Sequence, residues 1–355
     1  MPFSVVQASV LLSLYFVEPD SFVQFSYYAS LAIVAGVIAS FRCEYWENSV
    51  DTIGNYIGLV CLIATAFEIA VWFFSGYHFF GILMASNALQ GYANKLLYSR
   101  ERRWDVVLLC VLSIMPYLVF RTVSSAAFST GLPVLFFAIH QSAGQWRYAG
   151  FWEGAFRSFQ RNFLADRPLQ LNWSSAVIAI VNQNWLPLQG LFFLQSEFLA
   201  PMLFFWRSAN FIPMFLSKPW SWKVYFHAKS DTLNPTLSLT LVGGALVSMT
   251  AAVSIYLLFL QEERSISSVL VMLVVAGVVA RFASNLLTHA LAFSRKLAIG
   301  LVIQAAFLVL LVANALAVSD ELLNYQVFVA IQLVISTIVA YYFFYLYTRS
   351  PRDVL

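Results

Sequence analysis

The run FLAPMLFFWRSANFIPMFL, Phe198 to Leu216, is 19 residues of nearly unbroken apolar sequence with Arg207 at its centre. At about 1.5 Å of rise per residue it is long enough to cross the roughly 30 Å hydrocarbon core of a bilayer. A permanent charge at that depth costs roughly 2.5 to 3.5 kcal/mol on insertion scales, so such a residue faces a wet cavity or an anionic partner rather than lipid. For Arg207 that leaves a cavity role, or an internal ion pair or hydrogen-bonded structural arginine.

The rest of the chain has the same character. Of its 355 residues 61% are apolar and 10% charged, and the mean hydropathy is +0.76. This excludes an ordinary soluble domain and predicts a polytopic membrane protein. Runs long enough to span fall near 22–41, 53–75, 77–97, 104–123, 125–144, 173–196, 198–217, 235–260, 266–293, 297–318 and 323–347, and the shorter Phe3 to Val17 makes twelve. Basic residues test that count, because short cytoplasmic loops collect lysine and arginine. With a cytoplasmic N-terminus, 16 of the 20 fall in inner segments, which also makes the C-terminus cytoplasmic. The others are Arg121, Arg264 and two arginines inside helices, Arg207 and Arg281. Placing the first stretch outside the membrane keeps the same alternation with eleven spans. The opening MPFSVVQASVLLSLYFVEPD lacks a basic start and a small-residue cleavage site, so no cleavable signal is expected. Cys43, Cys61 and Cys110 have no metal or redox spacing and read as packing residues.

An internal echo suggests how the spans are grouped. MASNALQGYANKLLYSRERRW (Met84 to Trp104) overlays FASNLLTHALAFSRKLAIG (Phe282 to Gly300), with an offset of 198 residues at Ala-Ser-Asn and 195 at Ser-Arg. Both pass from an apolar helix through Ser-Arg into another, which suggests a duplicated six-helix unit. The expected architecture is all-α: a transmembrane bundle of about twelve helices in two pseudo-symmetric six-helix lobes around a central cavity. Residues 1–145 form the N-terminal lobe with a short first helix, 146–172 a cytoplasmic interfacial linker, and 173–355 the C-terminal lobe. The linker carries four arginines and the aromatic stretch FWEGAFRSFQRNF. It reads as an interfacial helix beside anionic lipid, or as a basic loop obeying topology.

Candidate site residues come from polar groups in apolar helices. Arg281 joins Arg207 as a second buried cation. Asn182, Trp185 and Gln189 fall at spacings of three and four on one face of the 173–196 span, facing sugar or serving as interhelical glue. Glu68, alone in LIATAFEIAVWFF, is a protonatable coupling site or an arginine's counter-ion. His140 and His289 read as hydrogen-bonded neutral groups, and Pro187, Pro201 and Pro213 as kinks. Neither a metal site nor a cofactor is indicated, and nothing suggests a nucleic-acid partner.

Several of these features together resemble the polysaccharide (O-antigen, Wzx-type) flippases of the multidrug/oligosaccharidyl-lipid/polysaccharide exporter superfamily. YFVEPDSFVQFSYYASLAIVAGVIASFRCE (Tyr15 to Glu44) is similar to that family's opening, with Pro19, Asp20, Phe22, Phe25, Ser26, Arg42 and Glu44 at matching positions. LPLQGLFFLQSEFLAPMLFFWRSANFIPMFLS (Leu186 to Ser217) resembles its seventh and eighth helices, with Arg207 ahead of Pro213; Val23 and Ala200 stand where glycines are usual. The resemblance implies alternating-access movement of an undecaprenyl-pyrophosphate-linked oligosaccharide from inner to outer leaflet of a bacterial inner membrane, alongside membrane lipids and other polysaccharide-assembly proteins. Physical chemistry points the same way. A pyrophosphate cannot cross hydrocarbon unaided, and arginine grips phosphate bidentately while staying charged. Rival readings are a cation exporter, which would need cavity acids where only Glu68 is clear, and a membrane polymerase or glycosyltransferase, which would need an outer acid cluster this chain lacks.

Overall fold

The computed structural model describes residues 2–46, 50–100, 103–142, 151–192, 268–288 and 297–349, with single helical positions or short pieces between 200 and 244. All of the 235–260 span except Gly243 and Gly244, together with Pro201, Pro213 and His289, lies outside the described residues. All described elements are helical: α1 (Pro2–Val17), α2 (Pro19–Ser40), α3 (Val50–Ser75), α4 (Phe80–Arg100), α5 (Arg103–Phe120), α6 (Val123–Ser142), α7 (Phe151–Phe159), α8 (Arg167–Gln183), α9 (Trp185–Phe192), α10 (Ser268–Thr288), α11 (Leu297–Ala317) and α12 (Glu321–Arg349), with short 3-10 (Cys43–Tyr45) and π (Gln160–Leu164) turns. Among them five stretches are long and apolar enough to cross a membrane: Pro19–Tyr45, Gly54–Ser75, Val123–Ser142, Ala298–Ala317 and Leu323–Tyr345. Val107–Phe120 and Met272–Asn285 are shorter apolar stretches. These are the features of a helical, membrane-embedded protein.

Two compact units divide the chain, Pro2–Ile180 and Val181–Leu355. In the first, α4 is the axis, packed by α2, α3 and α6. Close approach depends on glycine: a Cβ on Gly36 of α2 would lie 2.6 Å from the Met84 carbonyl oxygen of α4, and one on Gly131 of α6 would lie 2.8 Å from Ile82. Enclosure by other helices lets α4 carry Asn87, Gln90 and Asn94 although it is not among the long apolar five. Other helices of the unit turn apolar side chains outward: Trp72, Phe73 and Phe74 on α3, with Phe74 85% exposed, and Leu108, Leu112, Val119 and Phe120 on α5. Such faces suit acyl chains, not water.

Local chemistry sets the helix ends. Pro19 sits in the first turn of α2, where its missing N–H is not needed. α3 stops at Gly76, whose φ of +70° is the left-handed conformation that terminates helices, and the Gly76 N–H donates to the Trp72 carbonyl at 2.9 Å. The cysteines are unpaired, with Cys43 and Cys110 buried.

Two sequence expectations are refined. Of the 146–172 segment, read as an interfacial helix or basic loop linking the lobes, residues 151–164 are α7 and the π turn and 167–172 open α8; α7 packs on α3 within the first unit, and the boundary between units falls inside α8. The 173–196 span, read as one helix, is broken at Asn184. Pro187 explains the break: it has no N–H for the Gln183 carbonyl four residues back, and its ring crowds that carbonyl.

Candidate functional site

Inside the Val181–Leu355 unit, the polar side chains of the apolar helices converge instead of scattering. α10 packs along α12, which places Arg281 opposite a polar strip on α12 made by Asn324, Gln332 and Ser336. Arg281 is 6% exposed. Its Nε–H donates to Ser336 Oγ at 3.3 Å and an Nη2–H to Gln332 Oε1 at 2.7 Å. The guanidinium carbon lies 4.3 Å from the centroid of the Trp206 ring, a cation–π arrangement. No carboxylate lies within ion-pair distance of Arg281 among the described residues.

Gln332 carries the contact onward. Its Nε2 donates to the Asn182 carbonyl at 2.6 Å, and Asn182 Nδ2 donates to the Gln304 carbonyl of α11 at 3.1 Å. The break after Gln183 is held from the Phe198–Leu216 run: Trp206 Nε1 donates to the Gln183 carbonyl that Pro187 leaves open (3.2 Å), and Arg207 Nη1 donates to Asn184 Oδ1 (3.2 Å). Below the break, Gln189 Nε2 donates to Asn324 Oδ1 at 2.7 Å, and Asn314 and Asn324 exchange bonds near the α11–α12 turn. Where water is absent each amide must find a partner in the protein, which explains this convergence. Four buried amide oxygens of these groups, on Asn182, Gln189, Gln304 and Asn314, have no donor among the described residues.

A narrow, partly open recess beside Arg281 has a volume of about 10 Å³, room for about one water molecule. Trp206, Asn210, Gly277, Val278 and Gln332 contribute to its lining. The chemistry on offer in the recess is a guanidinium beside a mostly apolar wall, which suits a small anionic group. Among the described residues no three His, Cys, Asp or Glu side chains converge as a metal site would require.

The structure therefore places Arg281 and Asn182 in one hydrogen-bonded group, Gln189 in a second with Asn324 and Asn314, and Arg207 beside Asn184 at the helix break. Trp185 stands apart from these: half-buried, its indole N–H has no partner among the described residues. Glu68 belongs to the other unit, and its carboxylate accepts from the backbone N–H groups of Phe79 and Gly81 at 2.6 Å each. It thus caps the N-terminus of α4, where a negative charge meets orphan donors and the positive end of the helix dipole. His140 is exposed at the end of α6, 3.4 Å from the Gln141 amide.

Trp206, Gln332, Ser336, Gln304, Asn314 and Asn324 were not singled out from sequence. A signal existed in α12, where Asn324, Gln332 and Ser336 are separated by multiples of four residues in an apolar helix, roughly one side of it. Comparison with protein-family models, curated proteins and solved structures finds no match for this chain.

Proposed function

We propose that this chain is a transporter that moves a polyprenyl-pyrophosphate-linked oligosaccharide from the inner to the outer leaflet of a bacterial inner membrane by alternating access. On this reading twelve spans form two six-helix lobes, and no covalent chemistry or cofactor is involved. The observation that carries it is Arg281. Of the five N–H donors of a guanidinium, two are engaged, both by neutral side chains, and no acid balances the charge among the described residues. A buried cation in that state is short of an anion, and a phosphate group supplies both the charge and a bidentate acceptor.

The six-helix duplication has support in the packing. In the first unit α6 packs against both α4 and α5; in the second α12 packs against both α10 and α11. Those are the elements that the 198-residue offset equates.

The test is translocation of a labelled polyprenyl-pyrophosphate oligosaccharide by reconstituted protein, with Arg281 intact and as Arg281→Gln. Loss of one charge-assisted phosphate contact lowers transport by roughly 10- to 100-fold. Arg207→Ala gives a smaller loss, because Arg207 donates to Asn184 and, unlike Arg281, does not line the recess. Unaltered transport in Arg281→Gln overturns the assignment, and improved export of an organic cation by that variant would favour a drug exporter.

A further inference from the structure

The outer surface of α7 has a function that the transport reading does not require. Counted around the helix at about 100° per residue, the seven positions between Phe151 and Phe159 divide into three sectors. Gly154, Ala155 and Ser158 form a docking sector: Ala155 and Ser158 are buried, and Gly154 lies so close to Asn55 of α3 that a Cβ there would overlap the amide. Trp152 and Phe156 form an apolar sector, 65% and 61% exposed. Glu153 and Arg157, paired with each other and exposed, form a polar sector on the far side. Leu164 adds a further exposed apolar side chain from the π turn.

The depth of this helix is fixed by what it docks on. Phe41, near the end of the Pro19–Tyr45 span, packs against Phe159 (ring centroids 4.8 Å) and Phe163 (5.0 Å) and stacks on Trp173 (5.4 Å). Asn55 lies in the first turn of the Gly54–Ser75 span. Both anchors are span ends, so α7 sits at the level where hydrocarbon gives way to headgroups. Exposed charge at the same level is cationic. Arg161 and Arg167 are exposed and have no carboxylate partner among the described residues; Glu153 is paired with Arg157, and the remaining acid, half-buried Asp166, accepts from the Leu169 N–H at 3.0 Å and leaves the stretch with a net positive charge.

We propose that α7 and the π turn form a docking surface for anionic lipid, with Trp152 and Phe156 inserted at the acyl boundary and Arg161 and Arg167 holding headgroup phosphates. An indole and a phenyl ring one helical turn apart, beside a charged sector, match the way amphipathic helices lie in a bilayer interface. Each arginine near an anionic surface is worth about a fivefold bias toward it.

Two measurements on the whole chain test this. Nitroxide labels placed by Trp152→Cys and, separately, Glu153→Cys, after replacing the three native cysteines with alanine, report depth in phosphatidylcholine vesicles containing phosphatidylglycerol. The expected result is a label at 152 reached by oxygen and not by a water-soluble nickel chelate, and the reverse at 153. Equal access of the chelate to both, or protection of position 152 from both probes because protein covers it, overturns the proposal. The second measurement compares spin-labelled phosphatidylglycerol and phosphatidylcholine bound at the protein surface. The wild type favours the anionic lipid several-fold more than the Arg161→Gln/Arg167→Gln double variant, and equal selectivity in the two overturns the headgroup assignment. Neither readout involves transport, so the result is independent of the cargo.

Discussion

Leu83 in α4 and Arg281 in α10 are separated by the 198-residue offset of the internal echo, and both are buried, 3% and 6% exposed. Their surroundings differ completely. Around Leu83 the packing rests on shape: α2 and α6 approach α4 through Gly36 and Gly131, and the nearby polar side chains bond within α4 itself, Ser86 and Asn87 donating to the Leu83 carbonyl. Around Arg281 the corresponding helices meet through Gln332, Ser336 and the Trp206 ring. On the proposed duplication the two positions have been finished in two ways, with close steric fit around Leu83 and a polar, charged interior around Arg281, whereas the first unit's charge near the end of α2, Arg42, is paired with the buried carboxylate of Glu44. Only the second kind of interior has anything to offer an anion.

The sharpest way to break this comparison is to exchange the two residues. Leu83→Arg puts an unmatched charge among apolar neighbours and costs about 3 to 5 kcal/mol. Detergent-solubilised protein should lose its monodisperse fraction or unfold at much lower temperature. Arg281→Leu removes a buried charge and orphans one Gln332 oxygen, two opposing effects that leave stability within about 2 kcal/mol of the wild type. Comparable destabilisation by the two exchanges would mean that Arg281 is purely structural.

Gly36→Val is next in size. Its methyl groups would enter the space of the Met84 carbonyl and Asn87, forcing α2 off α4 at about 1 to 3 kcal/mol. Thermal unfolding of the purified protein checks it, and an unchanged midpoint would show that the first unit does not depend on steric fit there.

How much of this was legible in the sequence differs between the two units. Composition and basic-residue spacing delimit most of the described membrane helices to within a few residues, the broken 173–196 span excepted, because each span must satisfy its own backbone and hide its charges. Arg207, Arg281, Asn182 and Gln189 are conspicuous for the same reason, being polar groups in apolar runs. What sequence does not encode locally is the partner. Trp206 looks like one more aromatic until its N–H is found on the Gln183 carbonyl, and Gln332 is 150 residues from the Asn182 carbonyl it reaches. Glu68 invited pairing with an arginine, yet a backward turn through Phe79 (φ +68°) brings the start of α4 to its carboxylate. α7 read as a connection, whereas the Phe41 aromatic cluster ties it to the first unit.

Gln332→Leu sharpens the comparison from the second unit alone. It leaves the Asn182 carbonyl without the donor at 2.6 Å and takes from Arg281 its shorter hydrogen bond. Stability falls by about 1 to 3 kcal/mol, the range for an orphaned buried polar group. Because Arg281 keeps Ser336 and Trp206, binding of a polyprenyl pyrophosphate weakens less than in Arg281→Gln. A loss equal to that of Arg281→Gln would make Gln332 a ligand contact in its own right.

The smallest effect is expected at the helix break. Pro187→Ala restores an N–H that can reach the Gln183 carbonyl, in competition with the Trp206 indole. Helix propensity favours the alanine, but straightening α8 into α9 would pull Asn184 from Arg207 and Trp206 from its place over Arg281. Those contributions oppose each other, so stability should change by no more than about 1 kcal/mol. The informative readout is the environment of Trp206, obtained as the difference in near-ultraviolet circular dichroism between Pro187→Ala and the same variant carrying Trp206→Phe. If the break exists because proline leaves a carbonyl for the indole, the Trp206 contribution diminishes in the Pro187→Ala background. An unchanged contribution would mean that the break is set by Asn184 and its arginine, with proline merely tolerated there.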